Sequence, residues 1–196
     1  MSQKTLLLIG GLSFLLGALC FGALMLYESD APEPLPVLWQ APSFQLTDTN
    51  EQPFGNEQLK GKIWVADFFF STCPGPCPTM AKHMAQLQTD FAGAERLHLV
   101  NFTVNPAYDT PAVLKQYATK LKADTSRWHF LTGSGETLQD LAVAGFKMGD
   151  PEALIRHSER FVLIDGEGMI RRFYVGTDID EIASLKRDIR QLLKTP

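Results

Sequence analysis

Positive charge is in short supply in this chain. Eighteen Lys and Arg stand against 22 Asp and Glu, for a net charge of -4. No basic excess is left for a nucleic-acid backbone. No segment is low in complexity and no unit repeats, so repeat architectures are excluded. Cysteine is scarce, at three residues, and only two of them lie close together. A structural zinc site wants four ligands, usually as two such pairs, and the second pair is missing. What remains is 196 residues with 45% hydrophobic content, enough for one domain with a real core and an appendage.

Long apolar runs are absent except for one. Thr5 to Leu26 holds 22 residues without a charge, roughly 33 Å as a helix, which suffices to cross a bilayer core. Lys4 precedes the run, and Glu28, Asp30 and Glu33 follow it. The positive end is expected to stay in the cytoplasm and the rest to be exported. A cleaved signal peptide is the rival reading, but its apolar region is typically ~7–15 residues and ends at a small-x-small site. This run is longer and ends Ala23-Leu-Met-Leu-Tyr27. Cys20 follows the bulky Leu19, where a lipoprotein signal wants a small residue, so it reads as one more apolar residue in lipid. Three prolines between Asp30 and Pro36 make a semi-rigid tether. The expected organisation is an N-terminal transmembrane anchor over 1–27, a Pro-rich tether over 28–40 and a domain over 41–196.

Within the domain, Ser43 to Thr47 alternates like a short strand and Asp48 to Glu51 is turn-like. Ile63 to Phe70 is nearly all apolar, as in a strand buried on both faces. Thr79 to Phe91 has Met80, Met84 and Leu87 at helical spacing. Leu97 to Val104 reads as a second buried strand. Thr110 and Pro111 suit the N-cap and first position of a helix to about Leu121. A strand at Trp128 to Leu131 and a helix at Gly135 to Ala144 follow. Phe161 to Asp165 and Met169 to Val175 form a hairpin across Gly166-Glu-Gly168, and a last amphipathic helix spans Asp180 to Leu193. Strand–helix–strand–helix, then hairpin and helix, is the order of an α/β thioredoxin-like fold. Such a fold has a central mixed sheet flanked by helices. Its chemistry lies beyond the carboxyl ends of the parallel strands.

Ser71-Thr-Cys-Pro-Gly-Pro-Cys-Pro-Thr-Met80 lies at that place. Each proline lacks a donor and disfavours helix in the residue before it. The helix is therefore expected to begin at about Pro78, with Cys73 and Cys77 ahead of it. A helix N-terminus favours thiolate. Two thiolates facing one point can close a disulfide or share a soft metal, and with an imidazole they suit Cu(I). A plain structural disulfide seldom sits in so short a strand-to-helix loop. The candidate imidazoles are His83, His98, His129 and His157. His83 lies about 240° round the helix from Cys77, His98 and His129 fall within strands, and His157 precedes the Phe161 strand. Spacing alone leaves the choice open.

The stretch Asp67-Phe-Phe-Phe-Ser-Thr-Cys-Pro-Gly-Pro-Cys-Pro-Thr-Met80 resembles the signature of the Sco (SenC) proteins, membrane-tethered copper chaperones of cytochrome c oxidase assembly. Thr103 to Leu114, Trp128 to Gly133 and His157 to Asp165 are similar to further segments of that family. The resemblance spans roughly Phe44 to Leu193. It implies a thioredoxin-like fold with an extra N-terminal β-hairpin. It also implies one copper ion, as Cu(I) or Cu(II), on Cys73, Cys77 and His157. The recipient would be subunit II of cytochrome c oxidase or a similar copper acceptor. The family usually has aspartate where this chain has Asn105; if that carboxylate tunes the site, its charge is missing here. Asp109 reads as a residue of the helix N-terminus, Trp64 as core, and Asp67 either as tuning the thiols or as bonded to nearby backbone.

Two function classes follow. A metallochaperone would pass copper on by ligand exchange. A membrane-anchored thiol–disulfide oxidoreductase would use Cys73 as the attacking thiol and Cys77 as the resolving one. Thioredoxin-like reductases usually carry a cis-proline before the hairpin strand, and here that segment is Arg156-His-Ser-Glu-Arg160, which favours metal. A peroxidase lacks an assignable peroxide-binding arginine.

Overall fold

The structure is a computed structural model describing residues 17–18, 21–22, 33–148 and 159–194. The chain divides into two units, 1–34 and 35–196. In the first, Gly17, Ala18, Phe21 and Gly22 are helical, and the rest of the expected span from Thr5 to Leu26 lies outside the described residues. Among the described residues no helix is long and apolar enough to cross a membrane.

The second unit is built on two long buried strands. Strand β4 (Ile63–Phe69) is buried at every position, and so is β5 (Leu97–Thr103). They run parallel, with all seven residues paired from Ile63 with Leu97 to Phe69 with Thr103. β6 (Trp128–Leu131) extends the sheet parallel to β5. On the other side β7 (Arg160–Ile164) lies antiparallel to β4 and forms a hairpin with β8 (Met169–Val175). The hairpin turn is held by Asp165, whose Oδ1 accepts from the N–H groups of Glu167 and Met169, both at 2.9 Å. Gly168 sits there at φ +79°, a conformation that favours glycine. β1 (Trp39–Gln40) pairs with the start of β8, so the sheet takes in two residues read from sequence as tether. The strand order is β1-β8-β7-β4-β5-β6.

A separate antiparallel pair, β2 (Gln45–Thr47) and β3 (Pro53–Gly55), is the expected N-terminal hairpin. Its turn is closed by Asp48 Oδ1, which accepts from Asn50 N and Gln52 N at 2.7 and 2.8 Å. A bridge from Thr47 to Thr132 joins it to the end of β6.

Alternation along β4 sorts the core into two layers. Ile63, Val65 and Phe69 pack with α1 (Cys77–Asp90), α2 (Pro111–Lys120) and α4 (Ile179–Lys194). Trp64, Ala66 and Phe68 face the N-terminal hairpin and α3 (Gly135–Asp140). The helix read as continuous to Ala144 widens to a π-helix over Leu141–Gly145. Beyond it Phe146 is fully buried, with its ring 6.1 Å from Trp64, 5.6 Å from Phe68 and 5.8 Å from Phe102. Thr110 caps α2 as expected, its side chain accepting from Val113 N, with Pro111 in the first helical turn.

The entry of the chain into this unit is tied to β8. Arg171 donates from Nε to Pro36 O at 2.7 Å, from Nη2 to Leu35 O, and from Nη1 to Asp165 Oδ2 at 2.7 Å.

Candidate metal centre

β4 brings the chain to the carboxyl end of the parallel strands at Phe69, and residues 70–76 turn it into α1. Cys77 is the first helical residue, with Pro76 at the N-cap in helical conformation (φ -73°, ψ -28°). The helix thus begins one residue before the expected Pro78 and takes in one of the two cysteines. Pro78 forfeits nothing in the first turn, where its N–H would have no partner. Thr79 N and Met80 N close on Pro76 O at 3.0 and 3.1 Å. These bonds and the burial of Cys77, 3% exposed, override the bias of a proline against helix in the residue before it.

Both cysteines are free thiols, Cys73 half-buried and Cys77 buried. Cys73 N donates to Phe70 O at 3.2 Å. Burial pushes the Cys77 thiol well up, and the hydrogen-bonded Cys73 thiol adds to this, while a backbone hydrogen bond with Phe70 acts the other way. The thiolate bias of a helix N-terminus is thus outweighed at Cys77. Loading a metal on this pair requires a proton to leave.

Polar groups in the sheet lie on the same side as the thiols. Asp67 and Asn101 are paired across β4 and β5, each at an odd position on the α1 face. Trp128 Nε1 donates to Asn101 Oδ1 at 2.5 Å, and Asn101 Nδ2 donates to Asp67 Oδ2 at 2.8 Å. Asp67 is 2% exposed, and among the described residues its Oδ1 meets no hydrogen-bond partner. Burial holds its carboxyl well above the usual range. Tyr117, on α2, stands close by with its ring 5.3 Å from Phe69 and 6.0 Å from Phe130. Its hydroxyl is pushed up, by burial first and then by its acidic neighbours Asp67, Cys77, Cys73 and Asp109. The sequence reading named Asp67 but missed Asn101 and Tyr117. The signal for Asn101 was a polar residue in a buried strand at the same face parity as Asp67.

The cysteine loop is also tied to β5. Asp109 Oδ2 accepts from Ser71 N at 3.1 Å and from Thr103 Oγ1 at 2.6 Å, and Oδ1 accepts from Ser71 Oγ. The expected role of Asp109 at the helix N-terminus is not what its side chain does, because Thr110 supplies the cap.

The histidines separate cleanly. His83 Nδ1 meets Gly176 O at 2.8 Å. His98 is level with Trp64 near the start of β4, the end of the sheet opposite the cysteines. Its Nδ1 lies 3.0 Å from His129 Nε2. His157 lies outside the described residues. Among the described residues no three His, Cys, Asp or Glu side chains cluster to hold a metal.

The fold has close parallels. A family model described as SCO1/SenC matches residues 38–194. A SCO1/SenC family lipoprotein from Bacillus anthracis is 33% identical, with TM-score 0.75 over 84% of this chain and 100% of that one. BsSco, described as a member of the Sco family of cytochrome c oxidase assembly proteins and as carrying a disulfide switch, is 26% identical. Its TM-score is 0.71 over 82% of this chain and 97% of that one. The copper-bound ScoI of Bradyrhizobium japonicum shares the fold, with TM-score 0.61 and 24% identity over 76% of this chain and 98% of that one. The mixed sheet with its N-terminal hairpin is therefore the thioredoxin-like Sco architecture, and the chain belongs to the SCO1/SenC family.

Proposed function

We propose that this chain is a copper chaperone of cytochrome c oxidase assembly. It carries one copper ion on Cys73, Cys77 and His157 and passes it to the dinuclear copper site of oxidase subunit II. The observation that carries the reading is the pair of free thiols brought together where β4 turns into α1, in a chain of this family. Two soft sulfur donors select copper as cargo, and an imidazole completes a three-donor site from which the ion can leave by ligand exchange. Support for His157 comes from topology. β7 runs antiparallel to β4, so its first residue, Arg160, lies toward the end of β4 from which the cysteine loop leaves. Glu159 O accepts from Gly176 N at 2.8 Å, and Gly176 packs on Met80 in the first turn of α1. His157 stands two residues before Glu159. In this reading residues 1–27 anchor the chain in a membrane and the domain works on the exported side.

The free dithiol favours a second reading, a thiol–disulfide reductase that prepares the cysteines of the recipient. One pair of variants separates the two. His157→Ala removes a copper donor and leaves both thiols. It is expected to lose Cu(II) most completely, to keep weak Cu(I) binding on sulfur, and to fail in oxidase maturation. Cys77→Ser is expected to abolish both copper binding and disulfide exchange. Normal oxidase maturation by the His157 variant, alongside failure of the Cys77 variant, makes the reductase the correct reading.

A further inference from the structure

We infer that Asp109 is the positioning residue of the cysteine loop: its buried carboxylate holds Ser71, and through it Cys73, in place against β5. The inference rests on the copper-carrying reading for its purpose, though not for its geometry.

Asp109 is completely buried, and a buried carboxylate is costly unless its lone pairs are satisfied. Three donors satisfy it: the Ser71 N–H, the Ser71 hydroxyl and the Thr103 hydroxyl. Two of the three come from a residue 38 positions away in sequence and two residues before Cys73. The carboxylate is not needed for α2, which Thr110 already caps. It is itself fixed on the rigid side of the site. Asp109 N donates to Asn105 O at 2.9 Å. Asn105 N donates to Thr103 Oγ1 at 3.0 Å, and Val104 N donates to Phe69 O at 2.8 Å. The loop that starts at Asn105 is thereby locked to the last residues of β4 and β5.

The cysteine loop needs such a tie. Its bonds from Cys73 N to Phe70 O, and from Thr79 N and Met80 N to Pro76 O, are all local. Pro74, Pro76 and Pro78 offer no donor at all. Cys77 is held by α1 and by the core. Cys73 lies outside the helix; Phe70 and Cys73 pack against the same core, and Ser71 adds the hydrogen bonds that tie this side of the loop to Asp109 and, through it, to the end of β5. Fixing Ser71 lowers the cost of bringing Cys73 to the ion that Cys77 also holds, which is preorganisation of a donor set. Side chains at the metal-facing surface need not be changed to weaken the site; cutting this tie behind it is enough.

The test uses the full chain in detergent, reduced and metal-free at the start, with two readouts. One is Cu(I) affinity by competition with a chelator. The other is the rate at which iodoacetamide alkylates Cys73, which needs no metal. A hydrogen-bonded buried charge is worth enough that Asp109→Ala should weaken Cu(I) binding about 10- to 100-fold and speed Cys73 alkylation by about tenfold or more. Asp109→Asn still offers an acceptor to Ser71 and should restore most of both values. Ser71→Ala should move both in the same direction as Asp109→Ala, by a smaller factor. Leu138→Ala, which opens a cavity in the core layer on the opposite face, should leave both within about twofold. Wild-type affinity and alkylation rate in Asp109→Ala overturn the inference, and so does an equal shift in Leu138→Ala. If Asp109→Ala does not fold, an unchanged alkylation rate in Ser71→Ala overturns it equally. Failure of the wild type to bind copper sinks the proposed function, and the alkylation readout then still decides the role of Asp109.

Discussion

Replacing His129 with Gln is expected to remove a specific loss of stability in acid. His98 Nδ1 and His129 Nε2 are 3.0 Å apart with the two rings only 11° from parallel, so one nitrogen donates and the other accepts. The Phe54 ring packs on His129, with centroids 4.3 Å apart and planes tilted by 34°. The bond needs at least one neutral ring to accept, and burial opposes charging either one. Burial, and then the neighbouring His98, lower His129 from 6.5 to about 4; Asp48 and Asp124 oppose this weakly. His98 is lowered too, by burial and then by Lys62 and Arg127. Between pH 6.5 and 4 the unfolded chain binds a proton at residue 129 that the folded chain does not. Stability is therefore fully present above about pH 6.5 and is lost as pH falls toward 4. At ~1.4 kcal/mol per pH unit, the interval from 6.5 to about 4 amounts to on the order of 3 kcal/mol at most. For a chain of this size that is about 6–12 °C in melting temperature. The assay is thermal unfolding of the full chain, reduced, in detergent, from pH 7.5 to 4.5, for wild type and His129→Gln. Glutamine still offers His98 a hydrogen-bonding partner but does not titrate. The melting temperature of the variant relative to wild type should climb by that amount as pH falls. A constant difference between the two across the range would refute the reasoning.

Asp67 should show the opposite sign. Its carboxyl is raised by burial, so above about pH 4 the folded chain keeps a proton that the unfolded chain has released, and wild type loses stability as pH rises. Asp67→Asn, which can still accept from Asn101, is expected to gain stability on wild type from pH 4 to pH 7, measured by urea midpoints. Phe146→Ala empties a fully buried site against three aromatic rings and should cost about 3–5 kcal/mol in denaturant unfolding. Its m-value should stay unchanged if the core simply loses packing.

The parts of the fold that were legible in the sequence are those with a local pattern. Ile63–Phe69 and Leu97–Thr103 are continuous apolar runs. Thr110-Pro111 is a start signal read within one turn, and Asp165 to Gly168 announces its own hairpin. Trp39–Gln40 was not legible because a two-residue edge strand has no period to detect. The start of α1 was misplaced because a proline rule about the preceding residue was weighed without the burial of Cys77. The aim of Asp109 and the pairing of His98 with His129 depend on partners 38 and 31 positions away. Such partners become neighbours only once β4, β5 and β6 lie in register, and no window of sequence contains both. The cysteine pair itself was plain, since both thiols fall within five residues.

The grip of Arg171 on Leu35 and Pro36 determines where force enters the domain. Arg171 lies between Ile170 and Arg172, which pair with Ile164 and Leu163, and these in turn pair with Trp64 and Val65. The attachment is therefore level with the early part of β4, about 15 Å along the strand from Phe69. A pull on the chain ahead of Leu35 meets the Arg171 guanidinium with its Asp165 partner, the buried Leu35 side chain, and the edge strand with the bonds from Leu38 N and Ala41 N to β8 and its turn. It would have to travel the length of the sheet before it disturbed the spacing of the two thiols.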